Sequence, residues 1–190
     1  LITNPENIVE VPLSVTGSHV GPEICHTSGR VLSMSFRAWV AAQRHMGFEM
    51  DPRELSSEDK LLLKSITKWW KENREWMMSA NVLRLPCIDN SIVAEIQINS
   101  KDNHFVVFAG QNTASELSSS VSLVLAGLDS ESMYNVSLIN KNEIKSLGKS
   151  KEGLLNNNLR LSGQFLMTQG IQLPKIFPAN MMVIEGDKAA

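Results

Sequence analysis

The hydrophobic pattern of this 190-residue chain changes period near Ala80, and that change constrains the fold more than any single motif. Before it, apolar residues recur at helical spacing. Leu62, Ile66, Trp69, Trp70, Asn73, Trp76 and Met77 fall on one broad stripe, with Lys60, Lys64, Lys68, Lys71 and Glu75 mostly opposite. This predicts a helix over 57–78, started by Ser56 with Asp59 three residues on, an acidic variant of the capping box. A shorter helix is expected over 34–45, capped by Ser33, striped by Phe36, Trp39, Val40 and Met46, and stopped at Gly47. After Ala80 short runs follow at 82–85, 92–98, 104–109, 121–125, 134–139, 159–161 and 181–184, separated by turn-forming Asn, Asp and Gly. Seven such strands predict an antiparallel β-sandwich of about 110 residues. Residues 143–158 read as a mobile loop or ragged hairpin. The chain is therefore α+β, with one domain expected over 1–80 and another over 81–190.

The first domain opens on an apolar strand at 8–15 and a polar loop at 17–30 that holds Gly17, His19, Gly21, Cys25, His26, Gly29 and Arg30. Strand, glycine-rich loop and helix in that order is how α/β enzymes present chemistry at the carboxyl ends of their strands. Only one such unit is legible, so most of any site the loop serves lies elsewhere.

Composition narrows the classes. A hydrophobic share of 43% supports a packed core, and a charged share of 20% argues against disorder. At a net charge of −2, nothing marks a nucleic-acid partner, and Lys141, Lys145, Lys149 and Lys151 read as a solvated surface. No apolar run is long enough for a membrane span. The two cysteines form no disulfide framework, which fits a reducing compartment, and a cytoplasmic location is expected. Leu1-Ile2-Thr3-Asn4-Pro5-Glu6 shows neither an initiator Met nor a signal sequence and reads as though cut from a longer polypeptide.

His19, Cys25, His26 and Cys87 are metal-ligand types, but their spacing matches no ligand pattern, and neither metal nor organic cofactor is expected. Cys25 and His26 are adjacent, so their side chains diverge, and no third group orients them as a nucleophile and base. Glu23 reads as a solvated or Arg30-paired carboxylate. Glu49 and Asp51 follow a helix, which in a β/α barrel is the face opposite the catalytic one. The tryptophans sit at core spacing; Trp69 and Trp70 cannot both point inward, so one is expected to face the sandwich or a subunit partner. His19, His26 and Arg30 remain as the substrate-loop candidates, able to brace the loop or meet substrate hydroxyls.

These residues, taken in order, resemble the carboxy-terminal part of α-galactosidases of glycoside hydrolase family 36. That family carries Gly-Ala-His-Val-Ser and then Asn-His-Gln-Thr-Gly-Arg near the end of its barrel. Here Gly17-Ser18-His19-Val20-Gly21 and Cys25-His26-Thr27-Ser28-Gly29-Arg30 stand in the same order. Gly47-Phe48-Glu49-Met50-Asp51, Glu54-Leu55-Ser56, Asn73-Arg74-Glu75 and Leu83-Arg84-Leu85 continue the likeness. So do Gly127-Leu128-Asp129, Tyr134-Asn135-Val136, Ser162-Gly163-Gln164-Phe165-Leu166 and Gly170-Ile171-Gln172-Leu173-Pro174. Cys25 replaces the usual Asn, Thr27-Ser28 replaces Gln-Thr, and residues 90–120 match poorly.

The resemblance implies the end of a (β/α)8 barrel, one strand and two helices, followed by the sandwich. It implies a retaining glycosidase acting on terminal α-galactosides, with two carboxylates about 5 Å apart. Both are aspartates on earlier barrel strands, so no catalytic residue is carried over to this chain, which alone is expected to be inactive. A lone barrel strand leaves an open edge, so contact with the missing barrel or homo-oligomerisation is expected. The alternative is a non-catalytic carbohydrate-binding or oligomerisation module. Against it, the sandwich shows no aromatic platform, its rings being Phe105, Phe108, Tyr134, Phe165 and Phe177.

Overall fold

The computed structural model describes residues 13–99, 101–147 and 153–189. They divide into two compact units with the boundary between Ser79 and Ala80.

The first unit is a β-α-β-α run. A 3-10 turn at Leu13–Val15 precedes β1 (Gly17–Val20), α1 (Met34–Ala42), β2 (His45–Phe48) and α2 (Ser57–Met77). β1 and β2 pair in parallel, Gly17 opposite His45 and Val20 opposite Phe48. Parallel neighbours need a crossover, here supplied by residues 21–33 and α1. Both helix starts follow the sequence: Ser33 Oγ accepts from the Phe36 amide at 3.2 Å and Ser56 Oγ from the Asp59 amide at 3.0 Å. Each side-chain oxygen satisfies one of the free amides of a first helical turn.

Several expectations are corrected in this unit. The strand expected at 8–15 is a 3-10 turn in its described part, the rest lying outside the described residues, and the strand itself is Gly17–Val20. The first third of the supposed loop is therefore strand. The helix expected to reach His45 ends at Ala42, and Gly47 lies inside a second strand instead of stopping a helix. The first unit thus contributes two parallel strands, not one. Four residues tight against a helix offer too few positions for strand alternation to declare itself.

α1 packs on α2 through Trp39 and Trp69, whose rings meet edge to face at 5.0 Å. Trp70 is buried and its indole N–H donates to the Arg44 carbonyl at 2.9 Å. Both adjacent tryptophans thus have a partner within this unit, Trp70 buried and Trp69 half-buried.

The second unit contains β3 (Asn81–Leu85), β4 (Ile92–Asn99), β5 (His104–Gln111), β6 (Ser122–Leu123), β7 (Met133–Leu138), α3 (Gly153–Asn156), β8 (Leu159–Ser162), α4 (Gly163–Thr168), β9 (Ile171–Gln172) and β10 (Asn180–Lys188). All seven expected strands are present, with β9 added. Six form one antiparallel sheet in the order β3-β4-β5-β10-β7-β8, and β6 pairs with β9. Alternate residues Ile96, Val107, Val136 and Ile184 join Leu123, Ile171 and Leu173 in one core, so the short pair covers one face of the long sheet. The sandwich is lopsided. Within 143–158, α3 is ordered; residues 148–152, with Lys149 and Lys151, lie outside the described residues.

One corner explains several family-like motifs. The Asp129 amide donates to the Tyr134 hydroxyl at 3.2 Å, and the Gly163 and Gln164 amides donate to the Ser132 and Ser130 carbonyls. A Cβ at Gly163 would lie 2.0 Å from the Asp129 carbonyl oxygen, a backbone atom that has little room to retreat. Gly163→Ala is therefore expected to separate the turn from α4 and destabilise the chain by about 2 kcal/mol or more, read as a lowered urea midpoint.

Candidate functional site

The carboxyl ends of β1 and β2 lie side by side because the strands are parallel. Val20 is fully buried; the pleat sends His19 to the opposite face. Its register partner is Gly47. A Cβ at Gly47 would fall 2.1 Å from His19 Cδ2 and 2.7 Å from Nε2, so the imidazole occupies the space that glycine leaves open. The ring reaches across β2 to Glu49, with Nδ1 3.3 Å from Oε1. Glu49 follows β2 and its amide donates to the Val20 carbonyl at 3.0 Å. This corrects its assignment to the opposite end: it sits at the same strand ends as His19. Asp51 is held instead by Arg53, with contacts of 2.6–3.0 Å that keep its carboxyl below the usual range.

Residues 21–33 are ordered as a small hairpin. Ile24 bridges Val31, the Cys25 amide donates to the Arg30 carbonyl, and the Leu32 amide donates to the Glu23 carbonyl. Gly29, at φ +69°, closes the turn with its amide on the Cys25 carbonyl. The brace is Arg37, which sequence reasoning missed. From α1 it donates to the Leu32 carbonyl at 3.0 Å and the Gly21 carbonyl at 2.5 Å, tying both ends of the loop to the helix. Burial pushes its guanidinium pKa down, opposed by the charges of Asp59 and Glu23. Its only sequence signal is a cation on the buried side of an otherwise apolar helix.

A pocket of about 200 Å³ opens here, lined by His19, Cys25, His26, Arg37 and Glu49 among others. Two of the three candidates, His19 and His26, thus share one cavity. Arg30 does not line it; its backbone closes the hairpin and its side chain is exposed. Hydrogen bonds, first from Ser28 and then from the Thr27 backbone, pull the Cys25 thiol down to about 7, so thiolate is present at neutral pH. No three His, Cys, Asp or Glu side chains converge to hold a metal among the described residues. The pocket offers hydrogen-bond donors and acceptors at a strand end, suited to orienting hydroxyls.

In the second unit Asp89, Ser91 and Gln111 form a buried polar knot: Ser91 Oγ contacts both Asp89 and Gln111. Phe105, Phe108 and Tyr134 are buried, leaving Phe165 and Phe177 as the half-exposed rings. Among the described residues no helix is long and apolar enough to cross a membrane.

Residues 6–80 match the melibiase family model, and residues 93–189 match the model of the glycosyl hydrolase family 36 C-terminal domain. An α-galactosidase of Escherichia coli is 26% identical over 184 residues, which is 94% of this chain and 26% of that protein. The α-galactosidase AgaA of Geobacillus stearothermophilus is 28% identical, over 86% of this chain and 20% of its own length. The chain therefore spans about a quarter or less of these relatives. Among solved structures, the galactosidase domain of an α-galactosidase–sucrose kinase superposes over 94% of the chain with a TM-score of 0.78 at 23% identity. AgaA in complex with raffinose gives 0.74 at 22% identity, and both likenesses bear on fold alone. The two family models together account for most of the sequence, and the chain belongs to glycosyl hydrolase family 36.

Proposed function

We propose that this chain is the closing portion of an α-galactosidase: residues 1–80 end the catalytic barrel and residues 81–190 form its carboxy-terminal sandwich. The whole enzyme hydrolyses terminal α-galactosides, with nucleophile and acid/base on strands that precede this sequence. The observation that carries the reading is the His19–Glu49 pair, 3.3 Å apart at the carboxyl ends of two parallel strands and seated over Gly47. Carboxyl ends are where barrel enzymes collect their substrate-binding side chains. His19 and His26 meet substrate hydroxyls, and Glu49 fixes the imidazole that does so. Arg30 serves the hairpin that carries His26. The relatives' names as α-galactosidases supply the substrate class.

The isolated 190-residue chain is expected to release no aryl leaving group from an aryl α-galactoside. Turnover like that of an intact enzyme would overturn the assignment of the carboxylates to other strands. In the full-length enzyme, Gly47→Ala displaces the imidazole, and a misplacement of about 1 Å costs on the order of 10²-fold. A fall of about 10- to 100-fold in kcat/KM is expected, with the circular dichroism spectrum unchanged. The pocket has its own pH signature. Cys25 alkylation should rise through pH about 7 and level off above it, because the thiolate is the nucleophile. Ser28→Ala should move that midpoint upward, while Cys87, whose thiol burial pushes up, stays slow over the same range.

A further inference from the structure

Two loops leave the same end of the long sheet, because Ile92 at the start of β4 stands opposite Gln111 at the end of β5. Residues 86–91 join β3 to β4, residues 112–121 join β5 to β6, and between them lies a cavity of about 280 Å³. Hydrogen bonds set both loops. The Asn112 amide donates to the Ser91 carbonyl at 2.8 Å, and the Gln111 side-chain amide donates to Ser91 Oγ at 2.6 Å and to the Thr113 carbonyl at 2.7 Å. The Lys175 ammonium donates to the Leu117 carbonyl at 2.6 Å. A cavity formed before binding, with a few polar groups fixed in it, is the usual shape of a small-molecule site. Asp89 lines this one and is only 6% exposed. Burial raises its carboxyl pKa, but hydrogen bonds from Ser115 and Ser91, with the Lys175 charge, outweigh that and hold it below the usual range. The cavity therefore contains an ionised acceptor held away from bulk water.

We propose that this cavity of the sandwich binds a hexopyranose ring, whose hydroxyls donate to Asp89 and Glu116 while a C–H face rests on Ile88 and Leu117. Three observations choose this ligand. The lining residues include two carboxylates and no cation, which disfavours an anion. Asn90 and Thr113 also line the cavity, with side chains that donate as well as accept. Sugar hydroxyls answer both roles, whereas an ammonium or guanidinium group offers no acceptor. Ile88, 79% exposed, and Leu117, 38% exposed, place two branched aliphatics beside these polar side chains. A pyranose has the same two-sided character, with hydroxyls around its rim and C–H bonds on its face. The aromatic residues of the sandwich do not reveal such a site, because aliphatic carbon takes the place of a ring platform. Every group involved belongs to the second unit, so the proposal does not depend on the strand-end pocket of the first.

The test titrates the 190-residue chain with methyl α-galactoside and follows the backbone amides by NMR. Saturable shifts are expected in residues 88–91 and 113–117, with a dissociation constant in the millimolar range. Asp89→Asn removes the buried charge and should weaken binding about tenfold or more. Glu116→Ala and Ile88→Ser change exposed positions, and each should weaken binding severalfold; they cover the case in which the Asp89 variant fails to fold. Glycerol, which has hydroxyls but no ring face, should give no saturable shift at these residues. Unaltered binding in both exposed variants would overturn the proposal, as would equal shifts with glycerol or tighter binding of agmatine, a guanidinium cation, at the same residues. Shifts confined to residues 19–26 would reject this site while supporting the active-site reading, so the two can fail separately.

Discussion

The parallel ladder between Gly17–Val20 and His45–Phe48 is the contact on which the first unit depends. It fixes strand direction, and strand direction decides which side chains share an end. It also requires a crossover, supplied by residues 21–33 and α1, whose residues Phe36, Arg37 and Val40 line the same pocket as His19. Gly47 then completes the arrangement by contributing no side chain. Removing that one methyl-sized volume makes room for an imidazole to lie across the neighbouring strand and reach a carboxylate two residues on.

Loop order follows from the same geometry. The crossover must travel from the end of β1 back to the start of α1, and Arg37 holds both ends of it by carbonyl contacts. A guanidinium suits this because its fork of donors satisfies two backbone acceptors at once. The cost is partial burial of a permanent charge, which the nearby carboxylates of Asp59 and Glu23 offset. The hairpin between them is kept narrow by Gly29, which leaves Cys25 facing the pocket above a turn that donates hydrogen bonds to its sulfur.

The helices, their caps and the strands after Ala80 were legible because each repeats a physical pattern over many residues. Ser33 and Ser56 cap as their position demands, and Ile92–Asn99 and His104–Gln111 pair along their whole length. β2 was not legible. Its four residues follow α1 after only Gln43 and Arg44, and helix and strand readings of so short an apolar run coincide. That single omission reversed the placement of Glu49. Of the site, His19 and His26 were visible through their glycine-bounded surroundings and their order in a family-like motif. Arg37 was not, and Glu49 was noticed but set at the wrong strand end, since the Gly21 and His19 contacts that define them are distant in sequence.

The position of β10 has a consequence for how the chain is made. Asn180–Lys188 lies between β5 and β7, hydrogen-bonded to both, although it is the last strand in sequence. Until it arrives, the two halves of the long sheet have no ladder between them, and each presents a bare edge. Synthesis from the amino terminus therefore delays completion of the sheet until β10 is made, and before that the exposed strands invite pairing with other nascent chains. Deleting Asn180–Lys188 would therefore remove an interior strand of the largest sheet and leave β5 and β7 with no ladder between them, which is a different loss from trimming a tail.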